Sequence, residues 1–295
     1  MVQAVYLYRR HWFGLFRPMT LIASIAPLTV ATYAATEGDF SILLLWVLLV
    51  IGLLIQGSMN MLNDYFDFKK GQDVDRWKVC HKRPLLGPSL EQIPFVALAL
   101  TTLAISLTLV IADHHYGLIA SLGLLGLLIG FFYSATNRSL AAIGLGEIAG
   151  SISLGLLPVS IAFALYVDQF TMDAVFIAIP FMLLMATMVM ANNIRDIEKD
   201  AGYRMTIPMQ LGRYTSAWVY LTILIMLYMY MPLMAVLNVF PTVSLLIFIA
   251  LPVALRLIKN LLTANQFKTI QAMKLAAYHY WAFAMAWMIA LIWNY

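Results

Sequence analysis

"MNMLNDYFDFKKGQDVD", Met59 to Asp75, follows a run of nearly unbroken apolar residues and sets the reading of the whole chain. It places Asn60, Asn63, Asp64 and Asp67 within eight residues at the end of a hydrophobic helix. Asn63 and Asp67 stand at i and i+4, and Asn60 and Asp64 show the same spacing just before them. A second stretch, "MANNIRDIEKDAGYRMTIPMQLGR" from Met190 to Arg213, sets Asn192, Asp196 and Asp200 at i, i+4 and i+8. Residues so spaced share one helix face. Either cluster alone would read as a solvated helix end, with Asn and Asp as caps and turn formers. Two clusters with matched spacing point instead to a pair of oxygen-ligand ladders.

The chain around them is membrane-embedded. Of its 295 residues, 63% are hydrophobic and 11% charged, against roughly 25% charged in a soluble domain. About 20 apolar residues cross a hydrocarbon core. Nine candidate spans fall at about 19–36, 41–62, 93–112, 117–134, 144–167, 174–194, 217–237, 242–261 and 274–294. With nine spans all 18 Lys and Arg fall on one side, the cytoplasmic one by the positive-inside rule. The expectation is a multi-pass cell (plasma) membrane protein, N-terminus and site cytoplasmic, C-terminus outside. It is expected to form one all-α domain over residues 1–295. The pI near 9.1 reflects this topology and attraction to anionic lipid; no basic-aromatic motif for nucleic acid is present. Trp12, Trp281, Trp287, Trp293 and Tyr295 are expected in interfacial belts. The lone Cys80 cannot form an intramolecular disulfide.

The two long inner loops, Asn63–Gln92 and Arg195–Ser216, hold most of the polar chemistry. An Asp at a span centre costs ~2.5–3.5 kcal/mol. Converging carboxylates at ~4 Å add about 1–4 kcal/mol of repulsion per pair. A divalent cation removes that penalty. Oxygen-only donors favour Mg²⁺ over Zn²⁺, and Mg²⁺ is usually held by one or two carboxylates plus substrate phosphates. The ladders therefore predict a phosphate-bearing substrate, with Lys82, Arg83, Arg138 and Arg204 as candidate phosphate partners. Glu147, an ionisable residue among Gly144, Gly146 and Gly150, is a further site candidate, although the glycines also suit close helix packing. Arg17-Pro18 reads as a helix start.

"NDYFD", "RDIEKD" and "TIPMQLG" resemble the signatures of the UbiA superfamily of intramembrane prenyltransferases. "FRPMTLIASIAP" (Phe16–Pro27), "GLGEIAG" (Gly144–Gly150) and "ANNIRD" (Ala191–Asp196) resemble its 1,4-dihydroxy-2-naphthoate branch of menaquinone synthesis. The resemblance implies nine helices around a central cavity open to lipid and cytoplasm, and Mg²⁺-dependent transfer of a prenyl group from an isoprenyl diphosphate to an aromatic acceptor, with loss of CO₂ for a dihydroxynaphthoate. "KRPLLGP" is reminiscent of the 4-hydroxybenzoate branch, so that acceptor or homogentisate is the alternative. An ion-coupled transporter, the non-enzyme alternative, would hold its carboxylates nearer the midplane. The resemblance implies Asn63, Asp67, Asn192, Asp196 and Asp200 as Mg²⁺ ligands, with Asp64 among the catalytic carboxylates. Gly71 stands where the pattern often has a third Asp, which makes Asp73 or Asp75 its substitute. Tyr65, Phe66, Phe132 and Tyr133 are candidates to face an allylic cation.

Overall fold

A backbone inside lipid must satisfy its own hydrogen bonds, so apolar segments of this length become helices. The computed structural model describes residues 5–9, 11–80, 87–112, 116–167, 169–263 and 266–294. Among them, nine helices are long and apolar enough to cross a membrane: α1 (Pro18–Ala35), α2 (Ile42–Lys69), α3 (Leu90–Ile111), α4 (Tyr116–Ser134), α5 (Gly146–Val167), α6 (Met172–Arg195), α7 (Arg213–Val236), α8 (Thr242–Leu262) and α9 (Lys268–Asn294). The nine expected spans are all present. Lys82 and Arg83 lie outside the described residues.

The spans differ in how much partner surface they find. α6 packs against α1, α5, α7 and α9, and α1 also meets α2, α5 and α9. α3 rests mainly on α2, while α4 touches only α2 and α5 extensively. Accordingly 61% of the α6 window is buried but only 11% of the α4 window, which leaves α3 and α4 as a thin wall facing lipid. The packed half centres on aromatic side chains. Phe181 stacks on Trp287 with ring centroids 5.3 Å apart, and Trp287 is fully buried. Trp287 is therefore a core residue, not part of the interfacial belt expected for it; Trp293 is exposed as expected. On α5, Gly155 lies so close to α6 that a Cβ there would sit 2.7 Å from the Met182 backbone, and one at Gly150 would sit 3.1 Å from Val189. The close-packing role expected of the glycine stretch holds at Gly150.

Two short strands add to the all-α expectation. β1 (Val5–Tyr8) pairs antiparallel with β2 (Trp77–Cys80), Tyr8 opposite Trp77. Their inner residues join Leu15, Met61, Leu90, Ile93 and Ala97 in a small second core at the end of α2 and α3. The sheet fixes the loop after α2, because Arg9 N–H donates to Arg76 O at 2.9 Å.

Candidate active site

The first ladder is helical throughout. α2 runs on to Lys69, beyond the expected end near residue 62, so Asn63, Asp64 and Asp67 occupy its last turns and do not lie in a loop. The helix closes by a Schellman motif: Gln72 N–H donates to Asp67 O at 2.8 Å and Gly71 N–H to Phe68 O at 2.9 Å. Gly71 is the left-handed residue of that motif, with φ +81°. An aspartate there would carry a Cβ in a strained conformation. This is a physical reason for the absence of a third carboxylate at position 71.

The second ladder breaks where the first continues. α6 stops at Arg195, Asp196 caps it with its N–H on Asn192 O at 3.1 Å, and a four-residue turn, Ile197–Asp200, follows. The break does not scatter the ladder. Asn192, Asp196 and Asp200 face a small polar chamber of about 70 Å³ together with Asn63, Asp67 and Asp73. All six expected metal ligands thus line one space. Asp75 is not among the chamber residues.

Three residues strap the motifs together, Arg204, Gln72 and Lys199. Arg204, from the second loop, donates Nη2–H to Asp67 Oδ2 at 2.6 Å. Gln72, from the first, donates Nε2–H to Asp200 Oδ1 at 2.6 Å and accepts from Arg204 Nε at 3.2 Å. Asp73 is paired with Lys199 and, at 2.9 Å, with Arg76. Arg195 donates to Asn192 Oδ1 at 2.7 Å and to both oxygens of Asp196 at 2.7 and 2.5 Å. Burial pushes the Asp200 carboxyl above its ordinary range, against Arg204. Burial also acts to raise Asp73, but Lys199 and Arg76 outweigh it and hold that carboxyl below the usual range.

Asp64, grouped above with the catalytic carboxylates, does not line the chamber. It is buried behind it, its Oδ1 accepting from Arg17 Nη2 at 2.5 Å and from Arg76 Nη1 at 2.6 Å. Both arginines reach the chamber, so Asp64 positions its cations. Arg138 is exposed and lines neither cavity. Glu147 is buried against α6, where its Oε1 accepts from Asn193 Nδ2 at 2.8 Å. It too is absent from the lining. Of the four candidate aromatics only Tyr133 lines the chamber; Phe66 packs edge-on against Phe131, which does the same to Phe132. Sequence reading did not select Gln72, Arg17, Arg76, Arg195 or Lys199 for the site. Arg195 and Lys199 lie within the second motif and could have been taken with it.

Next to the chamber lies a larger apolar cavity of about 470 Å³ between α1, α2, α3, α4, α5 and α6. Arg17, Asn63, Tyr133 and Asn192 line both spaces and form the neck between them. Ser134 Oγ donates to Asn63 Oδ1 at 2.5 Å and so ties the neck to α4. The donors at hand for a metal are carboxylate and amide oxygens only, which fits Mg²⁺. No three Asp, Glu, His or Cys among the described residues cluster as a ready cage. An ion here would need one or two carboxylates and phosphate oxygens to complete its shell.

Residues 24–278 match the family model described as the UbiA prenyltransferase family. The chain is 33% identical over 201 residues, 67% of its length, to 1,4-dihydroxy-2-naphthoate octaprenyltransferase of Bacillus subtilis (strain 168), and spans 65% of that relative. It is 28% identical over 214 residues to the enzyme of the same name from Haemophilus influenzae, covering 69% of this chain and 70% of that one. Among solved structures, a UbiA homologue from Archaeoglobus fulgidus bound to DMAPP and Mg²⁺ shares the fold with a TM-score of 0.63 at 14% identity. That match covers 94% of this chain and 99% of the other.

Proposed function

This chain belongs to the UbiA prenyltransferase family, and from that premise we propose that it transfers a polyprenyl group from an isoprenyl diphosphate to an aromatic acceptor. The observation that carries the reading is the pair of adjoining spaces with four lining residues in common. A chamber with Arg17, Arg76, Arg195, Lys199 and Arg204 suits a diphosphate, since guanidinium groups bind phosphate oxygens bidentately. An apolar cavity beside it suits a hydrocarbon tail. The neck is where the carbon–oxygen bond between them would lie.

Asn63, Asp67 and Asp73 on one side, with Asn192, Asp196 and Asp200 on the other, would hold Mg²⁺. Bound there, it supplies positive charge to the departing pyrophosphate. Arg204 and Arg195 would exchange their carboxylate partners for diphosphate oxygens, stabilising charge as the carbon–oxygen bond breaks. The resulting allylic cation meets Tyr133, whose ring face attracts it. With pyrophosphate already released from that carbon, an aromatic carbon of the acceptor attacks the cation, and a ring carboxylate at the attacked carbon departs as CO₂, its bonding electrons restoring the aromatic ring. The naphthoate relatives support 1,4-dihydroxy-2-naphthoate as the acceptor, and hence a step of menaquinone synthesis. The helix ends that build the chamber lie on the side that carries the Lys and Arg residues. We therefore place the site on the cytoplasmic face of the cell membrane.

The test uses detergent-purified protein, Mg²⁺, a radiolabelled prenyl diphosphate and dihydroxynaphthoate beside 4-hydroxybenzoate. Product should form with dihydroxynaphthoate, vanish with chelator and drop at least about 10²-fold in Asp67→Ala and Asp196→Ala. Failure to prenylate any acceptor, or full turnover in both variants, rejects the proposal.

A further inference from the structure

The apolar cavity carries several polar side chains, and one hydrogen-bonded pair among them has spare bonding capacity that a hydrocarbon tail cannot use. Gln56 and Ser24 line it from α2 and α1, and both are at least nine-tenths buried, 5% and 4% exposed. Ser24 Oγ donates to Gln56 Oε1 at 2.7 Å, and Gln56 Nε2 donates to Thr20 O at 2.9 Å. A carboxamide carries two N–H donors, so one Gln56 hydrogen has no partner among the described residues. The lone pairs of Ser24 Oγ are likewise left over.

Their position is as informative as their bonding. Gln56, Asn60, Asn63 and Asp67 follow one another at offsets of four, three and four, which keeps them on one face of α2. At 1.5 Å per residue Gln56 lies ~10 Å along the helix from Asn63, deeper in the membrane than the neck. Polar pairs that only join helices are placed differently here. Thr101 Oγ1 donates to Ser58 Oγ at 3.0 Å between α3 and α2, and neither residue lines a cavity.

We propose that Ser24 and Gln56 form the subsite for a ring hydroxyl of the aromatic acceptor. A phenolic hydroxyl both donates and accepts, which matches the Ser24 lone pair and the spare Gln56 N–H. A ring held there lies between the hydroxyl subsite and the neck, with an edge toward the carbon that carries the diphosphate. The inference rests on the prenyltransferase reading and adds to it where the acceptor binds.

The test is steady-state kinetics on purified protein with dihydroxynaphthoate and a prenyl diphosphate. Gln56→Leu and Ser24→Ala should each raise the acceptor KM about five- to tenfold, the loss expected for one hydrogen bond, with the donor KM unchanged within about twofold. Ser58→Ala should lower the thermal midpoint and move neither KM. As competitive inhibitors, one of 1-hydroxy-2-naphthoate and 4-hydroxy-2-naphthoate should bind wild type and Ser24→Ala equally, because it lacks the hydroxyl that the subsite holds. If Gln56→Leu does not fold, Ser24→Ala, which removes one oxygen, carries the test. An unmoved acceptor KM, or acceptor and donor KM rising together, overturns the inference while leaving the reaction intact. A wild type that prenylates no hydroxylated aromatic overturns the prenyltransferase reading itself.

Discussion

Replacing Asp64 with asparagine separates a carboxylate that acts in the reaction from one that holds its neighbours in place. The Asp64 side chain is fully buried, and one oxygen accepts from Arg17 at 2.5 Å and Arg76 at 2.6 Å. A hydrogen bond to a charged group contributes about 1.5–3 kcal/mol and a neutral one about 0.5–1.5. Removing the charge therefore loses about 1–1.5 kcal/mol at each arginine. The two guanidinium side chains are 35% and 29% exposed, so water recovers part of the loss and about 1–2 kcal/mol remains. Both arginines line the chamber, and once released they would hold a diphosphate less firmly. We expect a lower thermal midpoint in detergent and a donor KM raised about tenfold, since 1.4 kcal/mol is a factor of ten. The fall in kcat should be much smaller than in Asp196→Asn, where a chamber oxygen is lost directly. An Asp64→Asn protein that melts like wild type yet loses as much kcat as Asp196→Asn would refute this assignment.

Two further outcomes follow from burial and packing. Burial raises the Asp200 carboxyl, so the folded state binds this proton more tightly than the unfolded state. Its stabilising share is present at low pH and is lost as pH rises through the raised value. In chelator, Asp200→Asn should melt at or above wild type at neutral pH, with the advantage fading toward the ordinary carboxylate range; a wild-type advantage at neutral pH counts against it. Gly155→Ala drives a methyl group to 2.7 Å from the Met182 backbone and should cost about 1–3 kcal/mol. Gly117→Ala meets nothing within 4 Å, so equal melting of the two variants contradicts the packing described.

The nine spans were legible because hydropathy and length alone decide them. Helix ends were not. At Asn63–Lys69 the side chains turn polar while the backbone keeps its ladder, so a hydropathy boundary falls seven residues before the helical one at Lys69. The acid and amide ligands were legible from spacing, because they come from two local motifs. Most of their polar partners, Arg204 apart, were not, since Arg17 and Gln72 act across 47 and 128 residues. Such pairings leave no local periodicity. Trp287 misled for a related reason: a Trp near a chain of apolar residues reads alike whether lipid or Phe181 covers it. The β1–β2 pair joins residues 5–8 to 77–80, again beyond the reach of a local pattern.

The neck of Arg17, Asn63, Tyr133 and Asn192 divides a charged compartment from a greasy one, and this has a bearing on how the proposed reaction ends. Pyrophosphate dissolves only on the aqueous side, and a prenylated ring only on the other, behind the thin wall of α3 and α4. These two of the three proposed products would part in opposite directions as soon as they form, and CO₂ would diffuse away from both. A reverse encounter would need both to return at once, one from water and one from lipid. The boundary that would align the substrates would thereby also oppose the reverse encounter, beside the loss of CO₂.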